Sequence, residues 1–181
     1  MKAVTYRCYG SADVLKLEDV EKPVPAAGEI LVKVRTAAVN PLDWHFMRGK
    51  PYLMRLMSGL GKPQDPRMGV DFSGVVESVG PDVTRFEPGD AVFGGEFGAF
   101  SGYVTLSADG AVAPKPSSMN FDEAGSLGIA GLTALQALRD KGRVQPGQKV
   151  LINGASGGVG TFAVQIAKAM GAEVTGVCST R

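Results

Sequence analysis

Lys149 to Gly160 read Lys-Val-Leu-Ile-Asn-Gly-Ala-Ser-Gly-Gly-Val-Gly, a short apolar run that enters a glycine-rich turn. Beyond the turn, Val159, Phe162, Ala163, Ile166, Ala167 and Met170 recur at the spacing of one helical face. Strand, glycine-rich turn and helix, in that order, suit a dinucleotide pyrophosphate. The glycines let the backbone approach the phosphates, and the helix start offers unpaired N–H groups at the positive end of its dipole. The pattern is Ala155-x-Gly157-x-x-Gly160, with alanine at the first of three positions where glycine is usual. Its expected phosphate cradle is Ala155, Ser156, Gly157, Gly158, Val159 and Gly160. The bland alternative is an ordinary tight connection between a strand and a helix.

A second strand is predicted over 172–178, followed by Ser179-Thr180-Arg181. A site for NAD carries a carboxylate about 20 residues after the glycines, to accept from the ribose 2′-hydroxyl. Ser179 stands 19 residues after Gly160, with no carboxylate beside it. A hydroxyl and a guanidinium bind a 2′-phosphate that a carboxylate would repel. Ser179 and Arg181 therefore point to NADP(H), against the plainer reading of a solvated strand end.

The sequence ends after one β-α-β unit, whereas a doubly wound nucleotide domain has two βαβαβ halves. The expectation is a truncated chain, inactive alone and binding NADPH weakly or not at all. Upstream, the chain reads as mainly β. Strands are predicted over 3–7, 15–20, 29–38, 71–79, 91–94 and 102–107, separated by Pro/Gly turns such as Glu87-Pro88-Gly89-Asp90. A short helix is predicted over 41–48, capped by Asn40 with Pro41 in its first turn. Asn120 and Glu123 have the spacing of a capping box for a longer helix running through Leu138.

The 181 residues are 44% hydrophobic and 20% charged, with a net charge of +1, which argues against disorder and against nucleic acid as a partner. No apolar run is long enough to span a membrane. Cys8 and Cys178 form neither a disulfide framework nor a metal cluster, so a reducing cytoplasm is the expected location.

The whole chain resembles the medium-chain dehydrogenase/reductase superfamily, in its zinc-independent quinone oxidoreductase-like branch. The resemblance rests on Ala37-Ala38-Val39-Asn40-Pro41-Leu42-Asp43, Gly69-Val70-Asp71-Phe72-Ser73-Gly74-Val75-Val76, Val79-Gly80, Phe86-Glu87-Pro88-Gly89-Asp90-Ala91-Val92, Gly131-Leu132-Thr133-Ala134 and Gly154 to Gly160. It implies a mixed β and α/β fold: a GroES-like β-barrel catalytic domain over 1–120, then over 121–181 the start (β-α-β) of a Rossmann nucleotide-binding domain. In the superfamily the chain returns from the Rossmann domain to complete the catalytic one. It also implies a homodimer for the full-length protein.

Zinc-dependent members carry Cys at the position matching Asn40 and a His-Glu pair matching Val70-Asp71. Amide and valine replace thiolate and imidazole here, no four-cysteine lobe exists, and His45 is the only histidine, so no metal site is expected. Without a metal, developing negative charge must be stabilised by hydrogen bonds. That favours conjugated acceptors: NADPH reducing a quinone or an activated carbonyl or enone, with the hydride chemistry belonging to the nicotinamide. By resemblance, Asn40 sits at the nicotinamide and substrate end of the cleft and Thr133 beside the carboxamide. Tyr52 is the best nearby hydroxyl donor. Asn40 and Tyr52 are thus the catalytic candidates, with helix cap and surface aromatic as their plainer roles. Asp43 is assigned to holding the loop by hydrogen bonds rather than to acting as a base. Trp44, Phe46 and Phe93 to Phe100 are candidates for an apolar cleft or for barrel packing, and Lys50 to Pro66 for a loop at the cleft mouth. Two alternatives remain: an enoyl or alkenal double-bond reductase, and a non-catalytic NADPH-binding protein.

Overall fold

A computed structural model describes residues 1–179 of the chain. It divides into two compact units, Met1–Gly128 and Ile129–Arg181. In the first, β1 (Lys2–Tyr6) and β2 (Leu15–Asp19) form an antiparallel hairpin. A five-stranded antiparallel sheet follows from β3 (Glu29–Ala38), β4 (Asp71–Val79), β5 (Ala91–Gly95), β6 (Tyr103–Ser107) and β7 (Val112–Pro114), in the order β6-β3-β4-β5-β7. Isolated bridges, Ala3 to Ser101 and Thr5 to Arg67, tie the hairpin to the rest of the unit.

The sheet forms because its strands are dense in β-branched and aromatic residues that share one interior. Ile30, Val32, Phe72, Val76, Phe86, Val92, Val104 and Leu106 meet there in one core. Gly74 in β4 admits no side chain, since a methyl would lie 2.8 Å from the Val32 side chain on the neighbouring strand. A second cluster, Tyr6, Met47 and Met68, packs β1 against α1 (Pro41–Arg48).

The single helix expected from Asn120 to Leu138 is instead broken. The capping box does start α3 (Phe121–Gly125), with Asn120 Oδ1 accepting from the Glu123 N–H at 2.8 Å and Glu123 Oε2 from the Asn120 N–H at 2.9 Å. The Ser126 and Leu127 N–H groups then close tighter bonds onto Glu123 and Ala124, and the Ser126 hydroxyl also donates to the Glu123 carbonyl at 2.8 Å. A new helix, α4 (Gly128–Gln136), follows, and its last turn widens into a π-helical segment over Ala137–Lys141. Gly125 and Gly128 flank the break, and each lies where a methyl would crowd β3 or β4 side chains. α3 packs on β3, β4 and β5, within the first unit.

In the second unit, β8 (Lys149–Asn153) and β9 (Glu173–Val177) pair in parallel, connected through α5 (Gly158–Ala169). Ala134, Leu138, Ile152, Ala163 and Ala167 are its buried core, with Phe162, Ile166 and Met170 packed against it. Val159 departs from the expected stripe and is 40% exposed, because it sits in the first turn of α5 beside the glycine-rich loop. Leu151 and Val177 are also exposed, on a sheet of only two described strands. No described helix is long and apolar enough to cross a membrane.

Candidate functional site

The glycine-rich turn is closed by backbone bonds. The N–H groups of Gly154 and Ala155 both donate to the Val177 carbonyl at 2.9 Å, and the Gly157 N–H donates to the Gly154 carbonyl at 2.9 Å. Gly154 takes φ 75°, which favours glycine. Gly157 is the N-cap of α5, and no side chain caps the helix. Its first-turn N–H groups are therefore open to a ligand rather than satisfied by a neighbouring hydroxyl or carboxylate. Gly157 and Gly158 are exposed, and a methyl on Gly158 would meet nothing within 4 Å.

Gly160 is different. It is buried against the turn, where a methyl would lie 2.8 Å from Ala155 Cα and 2.9 Å from Ala155 C, and closer still to the Gly154 carbonyl oxygen. This glycine lets α5 close onto the loop. The alanine at 155 has its own accommodation: a methyl on Gly176 of β9 would come 2.9 Å from Ala155 Cβ, so the neighbouring strand leaves room for the side chain the first position carries. That compensation was not read from the sequence, where the signal is one glycine inside a strand.

Ser156 and Val159 stand exposed on the same turn, and Ser179 is exposed just beyond β9. Arg181 lies outside the described residues. Thr133 is exposed on α4, in the second unit with the turn.

Asn40 and Tyr52 belong to the first unit. Asn40 is half-buried between β3 and α1, and forms a capping box with Asp43. Its backbone N–H donates to Asp43 Oδ2 at 2.7 Å. Its Nδ2 donates to Asp71 Oδ2 at 3.0 Å and, more weakly, to the Ala38 carbonyl at 3.4 Å. Asp43 and Asp71 are both buried, so two carboxylates meet one amide. Burial pushes the Asp43 carboxyl above its usual range; the Asn40 N–H opposes the rise and the charge of Asp71 adds to it. Asp71, in β4, is the residue that sequence reasoning missed. Its partnership with Asn40 joins residues 31 positions apart.

Tyr52 is 67% exposed. The Arg55 guanidinium lies between two rings, 4.4 Å from the Tyr9 centroid and 5.0 Å from that of Tyr52, and Arg55 Nε donates to the Gly49 carbonyl at 3.0 Å. The Tyr9 hydroxyl donates to the Gly59 carbonyl at 2.6 Å. These contacts fasten the 50–60 segment to the hairpin. Trp44 is 48% exposed, not packed inside. Phe46 and Phe97 meet edge to face at 5.0 Å and line a cleft of about 160 Å³ with Tyr6, Met57, Ser58, Gln64 and Asp65. Burial, with the negative charge of Asp65 and Tyr9 nearby, pushes the Tyr6 phenol up to about 12. Burial also disfavours ionised Asp65, but the two-point contact from Arg67 prevails and holds its carboxyl below the usual range. The cleft therefore holds a neutral phenol and a paired carboxylate. Asn40 and Tyr52 are not among its lining residues.

Residues 26–117 match the alcohol dehydrogenase GroES-like domain family. The chain belongs to the medium-chain dehydrogenase/reductase superfamily. It is 37% identical to mouse (Mus musculus) quinone oxidoreductase over 190 residues, covering 99% of this chain and 53% of that protein. Among solved structures it resembles the CurK enoyl reductase, at 32% identity and a TM-score of 0.89, covering 98% of this chain and 54% of that one. It likewise resembles Escherichia coli quinone oxidoreductase complexed with NADPH, at 29% identity and a TM-score of 0.83, covering 97% and 52%. The chain spans about half the length of the curated relatives it matches. The expected fold class, a GroES-like domain followed by the beginning of a Rossmann fold, holds for this superfamily member.

Proposed function

We propose that this chain forms the GroES-like catalytic domain and the opening β-α-β unit of an NADPH-dependent oxidoreductase that reduces quinones or activated carbonyl and enone substrates without zinc. The observation that carries the reading is the start of α5, where a glycine cap leaves helix N–H groups open beside an exposed, glycine-lined turn. That donor set fits a pyrophosphate. Ala155, Ser156, Gly157, Gly158, Val159 and Gly160 would hold it by backbone contact, and Ser179 and Arg181 would take the 2′-phosphate of NADP(H). When bound, the nicotinamide supplies a hydride. Thr133 and Asn40 are assigned to its carboxamide and ribose end, and the exposed Tyr52 hydroxyl to hydrogen-bonding the acceptor oxygen.

The absence of zinc is supported by donor chemistry. Asn40 is an amide whose nitrogen already donates to Asp71, and Val70 offers no ligand atom. A quinone or enone spreads incoming charge over conjugated atoms, which suits hydrogen-bond stabilisation. The likeness to an enoyl reductase structure supports a second reading, reduction of an activated C=C bond by the same cofactor. The proposed whole protein is a homodimer in a reducing cytoplasm, consistent with Cys8 and Cys178 as exposed free thiols.

The test is NADPH consumption by the full-length protein against panels of quinones, enals and simple alcohols. Turnover confined to the conjugated acceptors supports the proposal, with the preferred panel deciding between its two forms. Turnover of simple alcohols dependent on added zinc would overturn it.

A further inference from the structure

We propose that Asp71 is a positioning residue that fixes the polarity of Asn40, so that Asn40 meets a ligand as a hydrogen-bond acceptor and not as a donor. This rests on the cofactor reading above. Asp71 is fully buried at the first residue of β4. Its Oδ2 accepts from Asn40 Nδ2 at 3.0 Å, and the same nitrogen faces the Ala38 carbonyl at 3.4 Å. A carboxylate and a carbonyl can only accept, so the amide nitrogen must turn inward, and the assignment of the amide does not depend on choice. Both of its protons point at protein acceptors.

Gly128 lies directly against the carboxylate. A methyl on Gly128, at the start of α4, would lie 2.9 Å from Asp71 Cγ and 3.2 Å from the Gly94 carbonyl, so that position excludes a side chain. The Asn40 backbone is fixed as well, through its N–H to Asp43 Oδ2 at 2.7 Å. Turning the amide over would place its oxygen against the buried Asp71 carboxylate and strip that group of a donor, an expensive exchange in a buried site. The carboxamide oxygen faces the Asp43 N–H of the capping box with one lone pair and keeps the other for a ligand. It suits a hydroxyl or an amide N–H, such as those of a nicotinamide ribonucleotide. It does not suit the oxygen on which negative charge develops. That charge needs another donor, which leaves the duty to a hydroxyl such as that of Tyr52.

The test follows by NMR, in the full-length protein, the side-chain amide protons of the three asparagines that this chain contributes. Asn120 and Asn153 are exposed and serve as internal controls. The Asn40 amide protons should exchange more slowly than both controls, and should stay slow when NADPH is added. In Asp71→Asn they should exchange faster. The KM for NADPH should rise about three- to tenfold, as for one weakened hydrogen bond, while kcat changes less. Should Asp71→Asn fail to fold, the wild-type exchange rates decide the matter alone. Asn40 protons that exchange as fast as the controls, or that lose protection on NADPH binding, would overturn the proposal. So would an unchanged KM in a folded Asp71→Asn whose Asn40 protons exchange faster. Failure of the cofactor reading would register separately, as backbone amides of Gly157 to Gly160 that do not respond to NADPH.

Discussion

Replacing Gly160 by alanine should destabilise the second unit by about 2 kcal/mol. The added methyl would sit 2.8 and 2.9 Å from two backbone atoms of Ala155, and nearer still to the Gly154 carbonyl oxygen. Backbone on two sides cannot swing away as a flexible side chain would. The penalty therefore belongs at the upper end of the overpacking range, about 3 kcal/mol. Alanine returns at most about 1 kcal/mol of helix propensity, because Gly160 lies in the first turn of α5. Gly158→Ala is the matched control. It meets no atom within 4 Å, is also in the first turn of α5, and should be neutral or slightly stabilising. Trp44 lies in the first unit, so tryptophan fluorescence would miss the effect. Amide hydrogen exchange of β8, α5 and β9 under native conditions reads it directly. Protection should fall in these elements for Gly160→Ala and persist for Gly158→Ala. In the full-length protein, Gly158→Ala should nonetheless weaken NADPH binding, because its methyl occupies the open face of the turn. Equal protection in the two variants would refute the packing argument.

Other consequences are testable on the same material. Tyr6 is neutral in the folded state up to a pKa of about 12, against 10.0 for the free phenol, with burial as the main cause. Its raised value means that this stabilisation is fully present below pH 10 and is lost as the pH rises through about 12; Tyr6→Phe should flatten that alkaline decline in chemical denaturation. Metal analysis of the purified full-length protein should find no stoichiometric zinc, and chelators should leave the proposed quinone reduction unchanged. Ser179→Glu in the full-length protein should shift preference from NADPH towards NADH, as compared by binding titrations, because a carboxylate repels the 2′-phosphate and accepts from the 2′-hydroxyl.

Elements with a strong local signature were legible before the fold was known. β3, β4 and α1 have the bounds expected of them, because alternating β-branched residues and the Asn40-Pro41 start are local signals. β7 was missed: three residues ending in proline look like a turn. The helix from Asn120 was overextended, because its apolar spacing persists across Ser126 and Leu127, where the chain instead closes tighter turns. The phosphate turn could be read from its glycines, yet the reason alanine fits at 155 is Gly176, on the next strand. Asn40 drew attention as a lone motif residue. Its tie to Asp71 comes from tertiary packing, which spacing along one chain does not encode.

The central claim, that this chain belongs to a machine for hydride transfer from NADPH, is tested most directly by isotope substitution. The full-length protein would be given NADPH deuterated at C4 of the nicotinamide, together with a quinone or enal. The account predicts acceptor-dependent consumption that slows with deuterium on one face of the ring only. Folded, NADPH-binding protein that consumes none with either acceptor, or consumes it without regard to acceptor or isotope, would contradict it.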